Sequence, residues 1–273
     1  MSAIAIIQAR MSSTRLPGKV LLPLADKPMI WHIVERAKAC KLVDLVIVAT
    51  SVEASDDPLA SFCADSGILC FRGSLDDVLS RFIEILKIHP ADFVVRITGD
   101  CPLIDPVFID RQIRALQLHE GDKTWSANHV AVLEGQGVLS SRSLSYIYKH
   151  SEDPDDKEHV GSRFMVENAN LFKLIEMEPP EALVRLPYRL CVDEAADYEM
   201  MCRVYDELWR DGEIIPFEKV IDWLGANPDA TGHNQCVVHS AINRELFAKI
   251  GSSRSGIVGA VDWDIVTYDT SNE

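Results

Sequence analysis

A chain of 273 residues with 47% hydrophobic and 25% charged residues has enough apolar sequence for one large α/β domain or two small ones. Its 27 lysines and arginines against 42 acids give a formal net charge of -15, which argues against the broad basic surface that nucleic acids and anionic membranes require. A nucleotide needs only a local cationic pocket and stays compatible with this charge.

The sequence has no run of about 18 apolar residues, and Arg10 interrupts the first apolar stretch, so neither a membrane span nor a signal peptide is expected. Seven cysteines form no CxxC pair. We predict free, mostly buried thiols in a reducing cytoplasm. The histidines and cysteines also lack the spacing of zinc ligands.

The first element is an apolar run, Ile4 to Ile7, which predicts a buried strand. The loop after it carries three cations, Arg10, Arg15 and Lys19, and no acid. Small residues between the cations let backbone N–H groups approach an anion, and the fixed charges would hold it. The loop is a candidate phosphate site; the alternative is an ordinary solvated surface loop.

The next elements alternate between helix and strand. Pro28 opens a helical pattern that runs to Lys41, and a second helix starts at Asp56 and stops at Gly67. Apolar runs predict strands at 45–49 and 68–71. The alternation predicts an α/β fold with a mostly parallel, Rossmann-like sheet flanked by helices.

Arg72 and Ser74 follow at the carboxyl end of a strand, where open α/β sheets bind ligands. Ser74 is also a good N-cap for a helix predicted at 75–88, with Asp77 three residues on. Capping accounts for Ser74 and Asp77 but not for Arg72, which is a candidate ligand residue.

The strand predicted at 92–97 runs towards Asp100. An acid at the end of a buried strand is costly unless a cation meets it, and the position suits a carboxylate ligand of Mg²⁺. The alternative is a cap for the next helix, but Asp105 already supplies that cap. We expect Arg96, within the strand, to form an ion pair.

From residue 121 the pattern weakens. We predict a strand at 124–129 and a helix at 143–149, and we interpret the acid-dense stretch 151–158 as a solvated loop. His159 follows this stretch, and a lone histidine more often packs or hydrogen-bonds than catalyses.

A late strand predicted at 188–192 ends in Asp193, a second acid at a strand end. Asp197 and Glu199 lie in the first turns of the next helix, where the helix dipole favours negative charge. Residues 251–273 begin with a linker-like segment and then alternate weakly, as an added strand or a partner-binding tail would, so they carry no clear prediction.

Six short motifs follow one another along the chain: QARMSSTRLPGKVL (8–21), KPMIWHIVERA (27–37), RGSLDDVLSRF (72–82), TGDCPLIDP (98–106), EHV (158–160) and VDEAADYE (192–199). They resemble the sugar-acid cytidylyltransferases, which include CMP-KDO synthetase, and within them the SpsF-like branch. The resemblance implies a GT-A-like nucleotidyltransferase domain at 1–235, with a sugar-side and dimer subregion at about 121–185 and a C-terminal extension at 236–273.

The resemblance also implies an activity: transfer of CMP from CTP to an acidic, KDO-like or nonulosonate-like sugar for surface polysaccharide or glycan synthesis. Asp100 and Asp193 would bind Mg²⁺, and Arg10, Arg15 and Lys19 would hold the triphosphate during catalysis. The protein would form a homodimer, and His159 would contact the sugar. The implied nucleotide-binding residues are Gln8, Ala9, Arg10, Ser13, Arg15, Lys19, Arg72, Ser74 and Thr98.

Three departures from the family pattern bear on the substrates. Ser12 stands where SpsF-like sequences usually have Gly, Thr98 replaces the Gln of CMP-KDO synthetase, and the segment after Gly135 lacks an acid expected on the sugar side. Other hypotheses stay open: another nucleotidyltransferase, a nucleotide-sugar-dependent glycosyltransferase, or a non-catalytic nucleotide-binding protein. Both acids are intact, which argues against the last.

Overall fold

The structure, a computed structural model, describes residues 1–125, 135–178, 190–231 and 257–262. Eight strands of these residues form one sheet. Its order from edge to edge is β10 (Ile257–Asp262), β9 (Leu174–Glu178), β7 (Lys123–Trp125), β8 (Gln136–Ser140), β6 (Phe93–Thr98), β1 (Ala3–Gln8), β4 (Leu45–Ser51) and β5 (Cys70–Gly73). A separate antiparallel pair consists of β2 (Pro23–Leu24) and β3 (Lys27–Pro28).

The large sheet is mostly parallel. β1 pairs in parallel with β4 and β6, and β5 lies parallel beside β4. β8 runs antiparallel to its neighbours β6 and β7, whereas β9 and β10 continue in parallel beyond β7. The predicted α/β class with a mostly parallel sheet is confirmed.

Helices cover both faces of the sheet. They are α1 (Met29–Lys38), α2 (Asp57–Asp65), α3 (Val78–Ile88), α4 (Pro106–His119), α5 (Ser141–His150), α6 (Pro154–Glu158), α7 (Ser162–Glu167), α8 (Ala195–Leu208), α9 (Phe217–Ala226) and α10 (Pro228–Thr231). Within the described ranges, none of them is long and apolar enough to cross a membrane.

The first strand is buried on both faces, as expected of a strand in the middle of a parallel sheet. Ala5 and Ile7 belong to a core that includes residues of α1, α4 and α8. Ile4 and Ile6 belong to a second core that includes residues of α3, α5 and α7. This burial explains the uninterrupted apolar run and places the loop after β1 at the centre of the sheet's carboxyl edge.

Several predicted elements differ at their ends, and two of them bear on the site. α3 begins at Val78 instead of residue 75, because Asp77 accepts a hydrogen bond from the first helical turn and is the N-cap. The strand predicted at 124–129 is seen as Lys123–Trp125, and residues 126–129 lie outside the described part.

The prediction of a late strand at 188–192 is wrong for residues 190–192, which are not in a strand. Residues 188 and 189 lie outside the described part.

The interpretation of 151–158 as a solvated loop is also wrong. The stretch contains α6, and Asp156 is buried within it. Its carboxylate accepts hydrogen bonds from Ser151 Oγ at 2.5 Å and from Phe164 N at 2.8 Å. Buried acids persist when they are hydrogen-bonded in this way, and composition alone does not reveal which acid of a cluster turns inward.

The end of the chain contributes to the main sheet. β10, for which the sequence carried no clear prediction, pairs in parallel with β9 at the sheet's edge.

Candidate active site

Lys19, Asp100 and Asp193 meet at the carboxyl ends of the central strands. The Lys19 ammonium lies 2.8 Å from Asp100 Oδ2 and 3.0 Å from Asp193 Oδ1, and it donates to the Val192 carbonyl at 2.8 Å. Asp100 follows β6, Asp193 precedes α8, and Lys19 begins a 3₁₀ turn, Lys19–Leu21. Both acids therefore share one cation.

This cluster is largely removed from solvent. The Lys19 side chain is 9% exposed, that of Asp193 12% and that of Asp100 27%. Removing one partner from a buried ion pair leaves an uncompensated charge and typically costs about 3–5 kcal/mol. The three side chains thus depend on one another, and the more exposed Asp100 gives the crevice its opening.

The loop that carries Lys19 is held by Asp56. The Asp56 carboxylate accepts hydrogen bonds from Met11 N at 2.7 Å, from Ser51 N at 3.1 Å and from the Ser51 hydroxyl. Burial raises the pKa of Asp56, but these hydrogen bonds lower it more, so its pKa lies below the ordinary value. Gly18 closes the loop by donating to Met11 O at 2.9 Å, in a left-handed conformation (φ 72°) that favours glycine.

Gly99 brings the end of β6 against the end of β1. Its N–H donates to Gln8 O at 2.8 Å, and a Cβ placed on Gly99 would lie 2.7 Å from the Ala9 Cβ. A side chain at this position would therefore push the two strand ends apart and move Asp100. Glycine at position 99 thus allows the close approach of the two strand ends.

Asp193 is positioned by the start of α8. Asp197 is fully buried and accepts hydrogen bonds from the backbone N–H groups of Asp193 and Glu194 at 2.8 and 2.9 Å. Glu194 and Asp197 form a capping box. Helix-dipole reasoning identified the favourable charge of Asp197 but missed that this residue holds Asp193 in place.

A disulfide joins the two segments that carry the acids. Cys101 follows Asp100, and its partner Cys191 lies two residues before Asp193, with their Cα atoms 4.4 Å apart. The prediction of free thiols is therefore wrong for these two cysteines. They are brought together because Val192 N donates to Asp100 O at 2.7 Å, a contact between residues 92 positions apart that sequence spacing cannot show.

The other two cations of the loop, Arg15 and Arg10, contact different parts of the protein. Arg15 Nη2 lies 2.8 Å from Asp193 Oδ1, with its side chain half exposed in the crevice. Arg10 Nη2 lies 3.5 Å from Glu158 Oε1 and so connects the loop with the EHV motif. Arg15 and Lys19 thus lie with the acids, whereas Arg10 reaches the opposite wall.

Arg72 and Ser74 lie apart from this cluster. Arg72 donates to the carbonyls of Ser51 and Glu53 at 2.8 and 3.0 Å and pairs with Asp57 Oδ1 at 2.7 Å. Ser74 Oγ accepts from the N–H of Asp77, the N-cap of α3. These contacts give both residues structural partners, and their nucleotide roles stay predictions.

The other candidate residues have partners outside the cluster of Lys19, Asp100 and Asp193. Thr98 Oγ1 donates to Cys101 Sγ at 3.3 Å, and Gln8 accepts a hydrogen bond from Arg96. Ser13 Oγ accepts from the backbone of the loop at 3.4 Å, and Ala9 N donates to Ala49 O at 3.1 Å. His159 Nε2 lies 3.5 Å from Asp155 Oδ1 on the wall that carries Glu158.

Asp100 and Asp193 fit a divalent cation. Both place a carboxylate oxygen within 3.0 Å of the same ammonium nitrogen, so they converge on a point where positive charge is already stabilised. Two carboxylates completed by substrate phosphates are a usual donor set for Mg²⁺. The described residues do not contain a cluster of three or more potential metal ligands, so such a site would need the substrate to complete it.

The site consists of a cationic loop that faces two acids at the carboxyl edge of the sheet, and a comparison with known protein families bears on what it does. The family model described as cytidylyltransferase matches residues 4–209. This chain belongs to the cytidylyltransferase family. The match covers every residue of the site described above.

Similar proteins extend the comparison over most of the chain. An uncharacterised protein of Methanocaldococcus jannaschii, MJ1063, is 36% identical over 239 residues, covering 87% of this chain and 96% of that protein. Spore coat polysaccharide biosynthesis protein SpsF of Bacillus subtilis is 32% identical over 229 residues, covering 82% and 95%. The resemblance to the SpsF-like cytidylyltransferases is thus confirmed.

Two solved structures share the fold. A cytidylyltransferase from Leptospira borgpetersenii superposes with a TM-score of 0.78 at 29% identity, covering 88% of this chain and 100% of that one. CMP:2-keto-3-deoxy-manno-octonic acid synthetase, solved with CTP, has a TM-score of 0.57 at 19% identity and covers 76% and 99%. The family and fold identify a CTP-dependent nucleotidyltransferase.

Proposed function

We propose that this enzyme transfers the cytidylyl group of CTP to a hydroxyl group of an acidic sugar and releases pyrophosphate. The observation that carries the proposal is the convergence of Asp100, Asp193 and Lys19 in one crevice, with Arg15 beside them. Acids that can hold a divalent cation and cations that can hold phosphates lie side by side there. This combination suits a nucleoside triphosphate.

In the reaction, the acceptor hydroxyl oxygen forms a bond to the α-phosphorus of CTP. The bond from that phosphorus to the bridging oxygen breaks, pyrophosphate leaves with the electron pair, and the hydroxyl proton passes to solvent. Mg²⁺ held by Asp100 and Asp193 would supply charge neutralisation at the phosphates. Lys19 and Arg15 would stabilise the charge that develops on the leaving pyrophosphate.

An acidic sugar as acceptor is supported by a relative named 3-deoxy-manno-octulosonate cytidylyltransferase, which is 39% identical over 118 residues. SpsF, named for spore coat polysaccharide biosynthesis, supports a role in polysaccharide synthesis. The sugar-side role of His159 and the homodimer rest on the sequence resemblance, the cytoplasmic location rests on the cysteine pattern, and all three stay predictions.

The direct test measures pyrophosphate release with Mg²⁺, one nucleoside triphosphate and one acceptor. We expect release with CTP, far above UTP, ATP or GTP, when 3-deoxy-manno-octulosonate, N-acetylneuraminate or a related acid is present. Phosphorus NMR should show the corresponding CMP-sugar. Transfer to neutral or phosphorylated sugars but to no acidic sugar would contradict the proposed acceptor.

A variant pair ties the activity to the site. Lys19→Met should lower kcat/KM by about 10²–10³-fold, the usual effect of losing one charged donor to the reacting phosphates. Lys38→Met is the matched control, because Lys38 is an exposed lysine paired with Glu35 on α1. A Lys19→Met enzyme that keeps the wild-type rate would show that the phosphates bind elsewhere.

A further inference from the structure

Two cations lie on one face of the sheet beyond the site described above. Arg96 of β6 is opposite Gly137 of β8, and Lys123 of β7 is opposite Leu139 of β8. Directly opposed residues share a face, and residues two apart on a strand do too, so Arg96 and Lys123 project to the same side. Gln8, on β1, projects to this side as well, because it is opposite Thr98.

Neither cation has an acidic partner within the described residues. The Arg96 Nε donates to the neutral amide oxygen of Gln8 at 2.9 Å, and the Lys123 Nζ lies 3.5 Å from the Ser162 hydroxyl. No described carboxylate comes within 4.0 Å of either group. The ion pair expected for Arg96 is therefore not found with any acid of the described residues, and the described charge that acts on the pKa of Arg96 is that of Asp100.

The surroundings make this arrangement costly. Burial lowers the pKa of Arg96 to about 10, although the charge of Asp100 opposes the shift. Burial and then the positive charge of Arg96 lower the pKa of Lys123 to about 8. Each group is therefore poorly solvated, and Lys123 is influenced by the charge of its neighbour. A buried, unneutralised cation is normally replaced or paired unless it has a function.

Space is available for an anion beside them. A Cβ placed on Gly137 would meet nothing within 4 Å, so the sheet surface next to Arg96 is open. Arg96, Lys123 and Gln8 are each only partly buried, so part of each residue is accessible to solvent. Ser162, the first residue of α7, contacts Lys123, and Glu158 at the end of α6 contacts Arg10 of the loop.

We propose that Arg96 and Lys123 form an anion pocket that binds the carboxylate of the acceptor, with Gln8 holding the Arg96 guanidinium in position. The assignment of this anion to the acceptor rests on the proposed function. A bound carboxylate would replace the missing counter-charge, and Arg96 supplies the planar donors that carboxylates prefer. The triphosphate has its own cations, Arg15 and Lys19, at the other end of the crevice.

The competing explanation is structural. Arg96 would only orient Gln8, and Lys123 would contribute only the packing of the aliphatic part of its side chain. The two explanations differ in what a variant changes. Loss of a carboxylate site raises the acceptor KM and leaves the CTP KM unchanged, whereas a packing defect lowers stability and affects both substrates.

Calorimetric titration of the full chain tests the pocket without requiring turnover. The probes are 3-deoxy-manno-octulosonate, N-acetylneuraminate and pyruvate as carboxylates, the methyl ester of the first as a neutral match, and inorganic phosphate. We expect at least one carboxylate to bind and the ester not to. Lys123→Met and Arg96→Met should each weaken that binding at least tenfold, and Arg96→Lys should restore part of it. Lys157→Met is the control, because Lys157 pairs with Glu152 on the outer side of α6.

Each outcome decides the proposal. Equal binding of acid and ester, unchanged binding in both variants, or binding of phosphate in preference to every carboxylate would overturn it, as would the absence of carboxylate binding. Carboxylate binding that depends on Arg96 and Lys123, without any cytidylyl transfer to those acids, would leave the pocket standing and contradict the proposed function instead.

Discussion

At Gly99 the crevice leaves no room for a larger side chain. The Ala9 Cβ and Cα and the Gln8 carbonyl oxygen leave no room for a methyl group. Gly99→Ala should therefore displace Asp100, destabilise the protein by about 1–3 kcal/mol as overpacking does and lower kcat more than it changes the CTP KM. Gly225→Ala on α9, where a Cβ meets nothing within 4 Å, is the matched control. Equal behaviour of the two variants would disprove the tight contact.

A second prediction at the scale of single residues concerns Lys123. The sign of its effect on the pH dependence of stability follows from proton linkage. The folded-state pKa of about 8 lies below the ordinary 10.5, so the unfolded chain binds the proton more tightly between those values. The contribution of Lys123 to the free energy of unfolding therefore rises with pH between pH 8 and 10.5. Below pH 8 the folded protein bears the full cost of burying a charged ammonium group. Lys123→Met should raise the free energy of unfolding by about 1–3 kcal/mol at pH 7, since one pKa unit corresponds to about 1.4 kcal/mol.

Urea denaturation of both proteins measures this effect. The advantage of the variant should shrink as the pH is raised from 8 towards 10.5, because the folded protein then holds a neutral lysine and the free energy needed to deprotonate the unfolded chain falls with each pH unit. A variant that is less stable than the wild type at pH 7 would mean that Lys123 supports the fold.

At the scale of elements, Asp56 connects the start of α2 to the cationic loop. Asp56→Ala leaves Met11 N and the Ser51 hydroxyl without their acceptor, and hydrogen bonds to charged groups contribute about 1.5–3 kcal/mol each. We expect a loss of about 2–4 kcal/mol in stability and a raised CTP KM. Asp65→Ala, at the exposed end of the same helix, should change neither quantity. Thermal unfolding and steady-state kinetics of the two variants make the comparison, and an unchanged CTP KM in Asp56→Ala would show that the loop holds its shape without this residue.

The Cys101–Cys191 bridge joins the end of β6 to the segment before α8. Its sequence separation is 90 residues, and closing so long a loop typically stabilises a protein by about 2–4 kcal/mol. Reduction with a dithiol converts the bridge to two thiols and the dithiol to its cyclic disulfide. We expect a lower Tm and two additional titratable thiols in the denatured protein. An identical thiol count before and after reduction would contradict the bridge.

For the molecule as a whole, local patterns were sufficient to predict the sheet and the position of Asp100 at its edge, whereas Asp193 follows residues that are not in a strand. The apolar run at Ile4–Ile7 and the alternation of elements predict a parallel sheet, and strands of such a sheet present Asp100 and the cationic loop at one edge. Partners distant in sequence were not predictable. Asp56, Asp197 and the Cys191 pairing act through contacts between segments, and their residue types are also common at helix ends or in cores.

The same limit applies to Arg96, for which the described residues supply no ion-pair partner. A cation in a buried strand ordinarily indicates an ion pair, because an unpaired charge is costly. The structure instead places a neutral amide beside it and an open surface at Gly137. The local rule fails where the missing partner is proposed to be a substrate.

The most direct test of the central claim is calorimetric CTP binding with and without Mg²⁺. We expect Mg²⁺ to tighten CTP binding to the wild type at least tenfold, Asp193→Asn and Asp100→Asn to abolish that gain, and Lys19→Met to weaken CTP binding in both conditions. Mg²⁺-dependent CTP binding that survives in both Asp variants would show that the metal and the triphosphate do not meet at this crevice.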